Sequence, residues 1–132
     1  MFCSKKDRID DNKKANVVYL FSCPGCSKKY IGKTERNLIT RMEEHAKGNS
    51  DSAIHLHLES CSLYNEYLNL FKLFYDKVDL FLHRYNTIIN NTNILNVESN
   101  WLKLLFLEAY YIKSYNPELN TGVRASRELQ LF

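Results

Sequence analysis

No apolar run in this 132-residue chain approaches the roughly 18 residues of a membrane-crossing helix, so no membrane partner is expected. The first residues, Met1 to Lys14, are too polar to read as a signal peptide. A large charge of one sign is also missing. The 18 Lys and Arg stand against 15 Asp and Glu, for a net charge of +3 and a pI near 8.6. That balance is compatible with a nucleic-acid partner and too weak to demonstrate one. There is no internal repeat and no low-complexity tract. Cysteines are few, four in all, two of them close together as Cys23 and Cys26. Without a secretion signal, a metal site is a better reading of that pair than a disulfide framework. What is present is ordinary for a globular domain: 45% hydrophobic and 25% charged residues, in a chain long enough for one modest core.

Residues 1–15 are charged and aperiodic and read as a polar lead-in, with Cys3 a free thiol. Residues 16–132 read as one domain. Val17-Val18-Tyr19-Leu20-Phe21 is β-branched and aromatic, a strand; Pro24-Gly25 is a turn; Lys28-Lys29-Tyr30-Ile31-Gly32 is a second strand pairing with the first. Thr34 or Asn37 can start a helix that carries Leu38, Met42 and His45 at helical spacing and closes at Gly48. A short helix follows from Asp51 or Ser52 to about Ser60. The spacing from Leu63 to Arg84 suggests an apolar-striped helix, although its aromatic density also admits strand pieces. Asn90 to Asn93 reads as a loop and Ile94 to Val97 as a third strand. Trp101 to Tyr115 is the clearest helix, stopped by Asn116-Pro117.

Four constellations could carry chemistry. Glu108 is the only charge on a helical stripe of Trp101, Leu104, Leu105, Tyr111, Ile112 and Tyr115. It is either a boundary carboxylate reaching solvent or a lysine, or a ligand for a cation. Arg41 and His45, four apart on one helix face, either hold a phosphate and shuttle a proton or simply face solvent beside Glu43 and Glu44. Cys23 and Cys26 have zinc-knuckle spacing, and His57 and Cys61, four apart in the short helix, would complete a Cys3His site, with His55 in reserve. The competing reading is buried thiols and an unrelated histidine. Tyr19 and Tyr30 lie on paired strands and, alone, would be ordinary strand tyrosines.

Taken together, these positions resemble the GIY-YIG endonuclease family. Val17-Val18-Tyr19 stands where the family has Gly-Ile-Tyr, with Val17 a departure from the usual glycine. Tyr30-Ile31-Gly32 matches the second signature. Lys33-Thr34, Arg36, Leu38, Arg41 and His45 follow in the family's order, and Glu108, Pro117 and Asn120 follow its Glu…Pro…Asn pattern. The knuckle in the hairpin, the run Tyr30 to Arg36, Ser52-Ala53-Ile54 before His57, and the Leu-Asn-Thr-Gly-Val-Arg-Ala-Ser-Arg-Glu-Leu ending are similar to the zinc-motif nuclease domain of Penelope-like retroelements. The resemblance implies an α+β fold, a small three-stranded antiparallel sheet flanked by helices, with an insertion around residues 62–92. It implies a DNA endonuclease in which Glu108 holds Mg2+ and Arg41 stabilises charge on phosphorus, with Lys33 a weaker aid. Tyr19, assisted by His45 or by the nearby cations, would orient or deprotonate the attacking water; Tyr30 would line the same pocket and hold the water or phosphate; Gly32 would clear space for the phosphate; Asn120 would brace the site. Zn2+ held by Cys23, Cys26, His57 and Cys61 would be structural. A reverse transcriptase partner and a nuclear setting follow from the retroelement likeness. The competing functions are a zinc-stabilised nucleic-acid-binding module and a host repair or recombination nuclease.

Overall fold

The computed structural model describes residues 14–48, 52–75 and 77–120 as a small α+β domain. Strands β1 (Val17–Ser22) and β2 (Lys29–Thr34) form the expected hairpin, with Tyr19 opposite Gly32 and Phe21 opposite Tyr30. Strand β3 (Thr92–Val97) adds antiparallel to the other edge of β1, giving the order β2-β1-β3. Among the described residues, five helices surround this sheet: α1 (Leu38–Lys47), α2 (Ala53–Ser60), α3 (Ser62–Phe74), α4 (Leu80–Asn90) and α5 (Trp101–Tyr115).

Because successive strand residues point to opposite faces, β1 builds two cores at once. Val17, Tyr19 and Phe21 join Leu38 and Met42 of α1, Ile54 and Leu58 of α2, Tyr64 and Leu68 of α3 and Ile88 of α4. Val18, with Ile31 of β2, packs instead on Leu104, Leu107 and Ile112 of α5. Each Leu or Ile so buried contributes about 1.5–3 kcal/mol of transfer free energy.

The helix limits follow local chemistry. Asn37 caps α1 by accepting from the Ile39 amide, and Gly48, at φ 78°, supplies the left-handed stop. Ser52 caps α2, and Asn100 caps α5 by accepting from Leu102 and Lys103. Of the two starts considered for α1, Thr34 is instead the last residue of β2, its hydroxyl accepting from the Arg36 amide at 3.1 Å. Asp51, the lead-in with Cys3, and the tail with Arg124 and Arg127 lie outside the described residues.

Two expectations need correction. The segment from Leu63 to Arg84 is not one helix. α3 ends at Phe74, and α4 begins at Leu80, where Asp79 accepts from the Leu82 amide and so nucleates a new first turn. The loop expected over Asn90 to Asn93 is also absent: Asn90 closes α4, and β3 starts at Thr92, whose buried hydroxyl donates to the Ile88 carbonyl at 2.6 Å. The stripe on α5 is narrower than its spacing suggested, since Trp101 and Tyr115 are exposed and only Leu104 and Glu108 are buried.

The outer edge of β2 is closed by a single 3-10 turn, Glu118–Asn120. Asn120 Oδ1 accepts from the Ile31 amide and its Nδ2 donates to the Ile31 carbonyl, both at 2.7 Å, while Glu118 Oε1 accepts from the Lys29 amide at 3.1 Å. A side-chain amide thus pairs the edge as another strand would. Asn120→Ala leaves both Ile31 backbone groups without these bonds and should cost about 2–4 kcal/mol in urea unfolding. A loss below about 0.5 kcal/mol would show that water replaces the amide at no cost.

Candidate functional site

The hairpin carries one cluster at its tip and another along its strands. At the tip, Cys23, Cys26, His57 and Cys61 place all their ligand atoms within 4.8 Å of one another. Cys26 Sγ lies 3.2 Å from His57 Nε2, and Cys23 Sγ lies 3.9 Å from Cys61 Sγ. A tetrahedral ion with metal–sulfur bonds of about 2.3 Å would space its sulfurs by about 3.8 Å, so the cage has the dimensions of a Cys3His zinc site. His55 is set apart from it, with Nε2 beside Glu59 at 3.4 Å and its ring against Gly48.

Local structure builds this cage. The Ser27 amide donates to the Cys23 carbonyl and the Cys23 amide to the Lys28 carbonyl, both at 2.9 Å, which folds the knuckle. Gly25 is required there, because a Cβ would fall 2.7 Å from the Tyr64 backbone nitrogen. Cys61 lies not inside α2 but at the junction of two helices. Its amide caps the end of α2 by donating to the His57 carbonyl, and it stands at the N-cap position of α3. Burial opposes ionisation of Cys61, but amide donors from Tyr64 and Leu63 at the start of α3, with thiol donors from Cys26 and Cys23, outweigh it and lower its pKa. Burial pushes Cys23 up to about 11, against the amides of Cys26 and Gly25, which aim at its sulfur. His57 is lowered by burial and by Lys28, so its neutral, ligand-competent form predominates near neutral pH.

Along the strands, Tyr19, Tyr30 and His45 converge. Their rings are paired at centroid distances of 6.3 Å for the two tyrosines, 6.1 Å for Tyr19 with His45 and 5.9 Å for Tyr30 with His45. Tyr19 Oη is 2.9 Å from His45 Nε2, and His45 Nδ1 is 2.7 Å from Ser52 Oγ. His45 is only 1% exposed. Gly32 opposite them has a definite purpose: a Cβ would come within 2.6 Å of the Tyr19 hydroxyl oxygen. The space left by the missing side chain is occupied by that phenol. Arg41 joins the group. Burial works to depress its pKa, but the electrostatic pull of Tyr19, together with Glu44 and Tyr30, more than offsets this and raises it. Glu44, at 2.6 Å from Arg36 and 3.2 Å from Arg41, holds the guanidinium from below and is itself lowered by those two arginines.

The remaining expected residues arrive by other routes. Asn120 reaches β2 through the Ile31 backbone, between Tyr30 and Gly32. Glu108 is 4% exposed and lies in line with Leu104 and Ile112, on the side of α5 that packs on β1 and β2. Lys33 is half-buried and alternates in β2 with Gly32 and Thr34, so it projects from the same face as Ile31 rather than Tyr30. Ser52 and Glu44 were not expected at this site. The sequence signalled Ser52 as a helix cap and as the start of the Ser52-Ala53-Ile54 run, and Glu44 only as a charge on a solvated face.

None of the family models, curated proteins or solved structures compared with the chain matches it. The Cys3His cage therefore stands on its own geometry. Zinc should bind one per chain and displace the Cys23 proton, so its affinity should fall as pH falls, readable in a competition titration with a chromogenic chelator. Cys61→Ser should reduce that affinity at least about tenfold and lower the thermal midpoint. Unchanged stoichiometry and midpoint in Cys61→Ser would return the four residues to buried thiols beside a histidine.

Proposed function

We propose that this chain is a GIY-YIG-type endonuclease that hydrolyses DNA phosphodiester bonds with a divalent cation, Mg2+. The observation that carries the reading is the convergence of Tyr19, Tyr30, Arg41 and His45 around Gly32, where the hydroxyl of Tyr19 takes the place of a side chain. A hydrophobic core has no need of a half-buried guanidinium beside a buried imidazole and two buried phenols; a reaction that moves protons beside a phosphate does.

Each residue has a task that fits its chemistry. Tyr19 takes the proton of the attacking water only if its own proton leaves, and His45 Nε2 is within 2.9 Å to receive it. Tyr30 packs edge-on against His45 and beside Tyr19. Arg41 faces the charge that grows on phosphorus, held ready by Glu44. Asn120 fixes the strand segment that bears Tyr30 and Gly32. The donor set toward a catalytic cation is one buried carboxylate, Glu108, which suits Mg2+ because that ion keeps most of its water. When bound, Mg2+ supplies Lewis-acid charge to the phosphate and the leaving oxygen. Zinc would stay out of the reaction, because a full Cys3His set leaves no open coordination position. Lys33 shares the Ile31 face of β2, the side on which the helix of Glu108 packs, and suits docking of the DNA backbone. The retroelement likeness favours target-site nicking for a mobile element beside a reverse transcriptase.

Plasmid nicking with Mg2+, read beside DNA-binding anisotropy, tests the proposal. Glu108→Ala should remain folded, since it removes a buried charge from a helix, and should lose cleavage by about 100-fold or more. Arg41→Ala should slow cleavage about 100-fold while weakening DNA binding far less, because its interaction grows in the transition state. Undiminished nicking by Glu108→Ala would sink the metal assignment. DNA binding by the wild type with no cleavage in Mg2+ would favour a zinc-stabilised binding module.

A further inference from the structure

We infer that the cleft between α3 and α4 is a second binding site, which takes one unpaired nucleobase of a DNA strand. That a strand supplies the base rests on the nuclease reading; that the cleft suits a base rests on its own lining.

The cleft opens beside Pro24 and Gly25 of the knuckle and has a volume of about 700 Å3, enough for a nucleotide. Two helix faces line it. α3 contributes Tyr64, Tyr67 and Phe71, and α4 contributes His83, Asn86 and Asn90. Within each set the residues follow at helical spacing, so each set forms one stripe along its helix. The two stripes meet at His83. Its ring lies edge-on to Phe71 at a centroid distance of 4.8 Å and stands 5.9 Å from Tyr64 and from Tyr67. Its Nδ1 is 3.0 Å from the hydroxyl of the fully buried Tyr64, a contact that fixes the imidazole. Tyr75 extends the aromatic wall by stacking on Phe71 at 4.5 Å.

The polar groups decide what fits between these walls. Asn86 and Asn90 are exposed, and neither side chain has a hydrogen-bond partner among the described residues; the same holds for His83 Nε2. A carboxamide offers a donor and an acceptor side by side, the pattern that pairs with the edge of a base, and best with the adjacent N6 and N7 of adenine. The aromatic stripe offers the flat faces on which a base stacks. A purely apolar occupant such as a phenylalanine side chain would take water from the amides and return no hydrogen bond. Charge points the same way. Lys77 and Asp79 also line the cleft, one of each sign, and burial together with Lys72 lowers the pKa of His83, which is therefore neutral near pH 7. A lining without net charge suits an uncharged ring rather than a phosphate or a carboxylate. Because a base inside a duplex is stacked on both faces, the cleft can receive one only from a single strand or after the base is turned out.

Side-chain amide NMR of the zinc-loaded chain without Mg2+ reads the site directly, with Asn86→Ala and Asn90→Ala assigning the two resonances. A single-stranded oligodeoxyadenylate of about eight nucleotides should shift both signals. The free nucleotide dAMP, with the same base and no strand, should shift them only at higher concentration. The same strand paired in a duplex should leave them in place. In anisotropy with the labelled single strand, Tyr67→Ala should weaken binding about tenfold through lost stacking, and a variant carrying both Asn86→Ala and Asn90→Ala should weaken it about as much. All three side chains are exposed, so these variants should keep the wild-type thermal midpoint. Amide signals unmoved by the single strand, or affinity unchanged in both variants, overturn the inference even in a protein that nicks plasmid. Equal shifts with the duplex overturn the need for an unpaired base, and shifts with dAMP alone overturn the strand as its source. Shifts with the single strand in a protein that never cuts DNA keep the base site and fail the nuclease reading instead.

Discussion

The two-residue period of β1 is the constraint on which the rest of the molecule depends. It sends Tyr19 and Phe21 to one face and Val18 to the other, so a single strand is shared by two cores. A register slip of one residue would put the Tyr19 phenol under α5 and a valine beside His45, destroying both cores and the tyrosine cluster together. Pairing on both edges, with β2 and β3, makes that slip costly. The turn geometry around Cys23 and Cys26 fixes the β1–β2 register at its source.

A second dependence runs through Cys61. One residue ends α2, begins α3 and supplies a sulfur to the cage at the hairpin tip. The helices that carry Ser52 and Tyr64 are therefore tied to the strands that carry Tyr19 and Tyr30 by a few bonds at one point. A metal there would convert the approach of four side chains into a cross-link between distant parts of a small chain, where the apolar core alone is modest. The tyrosine cluster lies further along the same strands. Its shape follows from the hairpin, while its electrostatics come from α1, which supplies Arg41, Glu44 and His45.

Glu108 and Asn120 show how residues from the end of the described chain return to β2. Asn120 acts on the Ile31 backbone across 89 positions of sequence and so holds the strand segment of Tyr30 and Gly32 from its edge. Glu108 comes up through the second core, on a helix anchored by Leu104. A buried carboxylate on so apolar a face is costly unless an interaction compensates it.

Much of the local structure was determined by the sequence alone. The β-branched run at Val17, the Pro24-Gly25 turn, the caps at Asn37, Ser52 and Gly48 and the Asn116-Pro117 stop act over a few residues, and each appears where its chemistry requires. The residues of the Cys3His cage were legible from spacing, because zinc ligands at short intervals leave a short-range pattern. Tertiary structure alone decided the break between α3 and α4, the start of β3 at Thr92, the position of Cys61 between two helices and the meeting of His45 with Ser52. Those depend on which faces find a partner across the fold, and a serine that caps a helix looks the same in sequence whether or not a histidine is waiting on its other side.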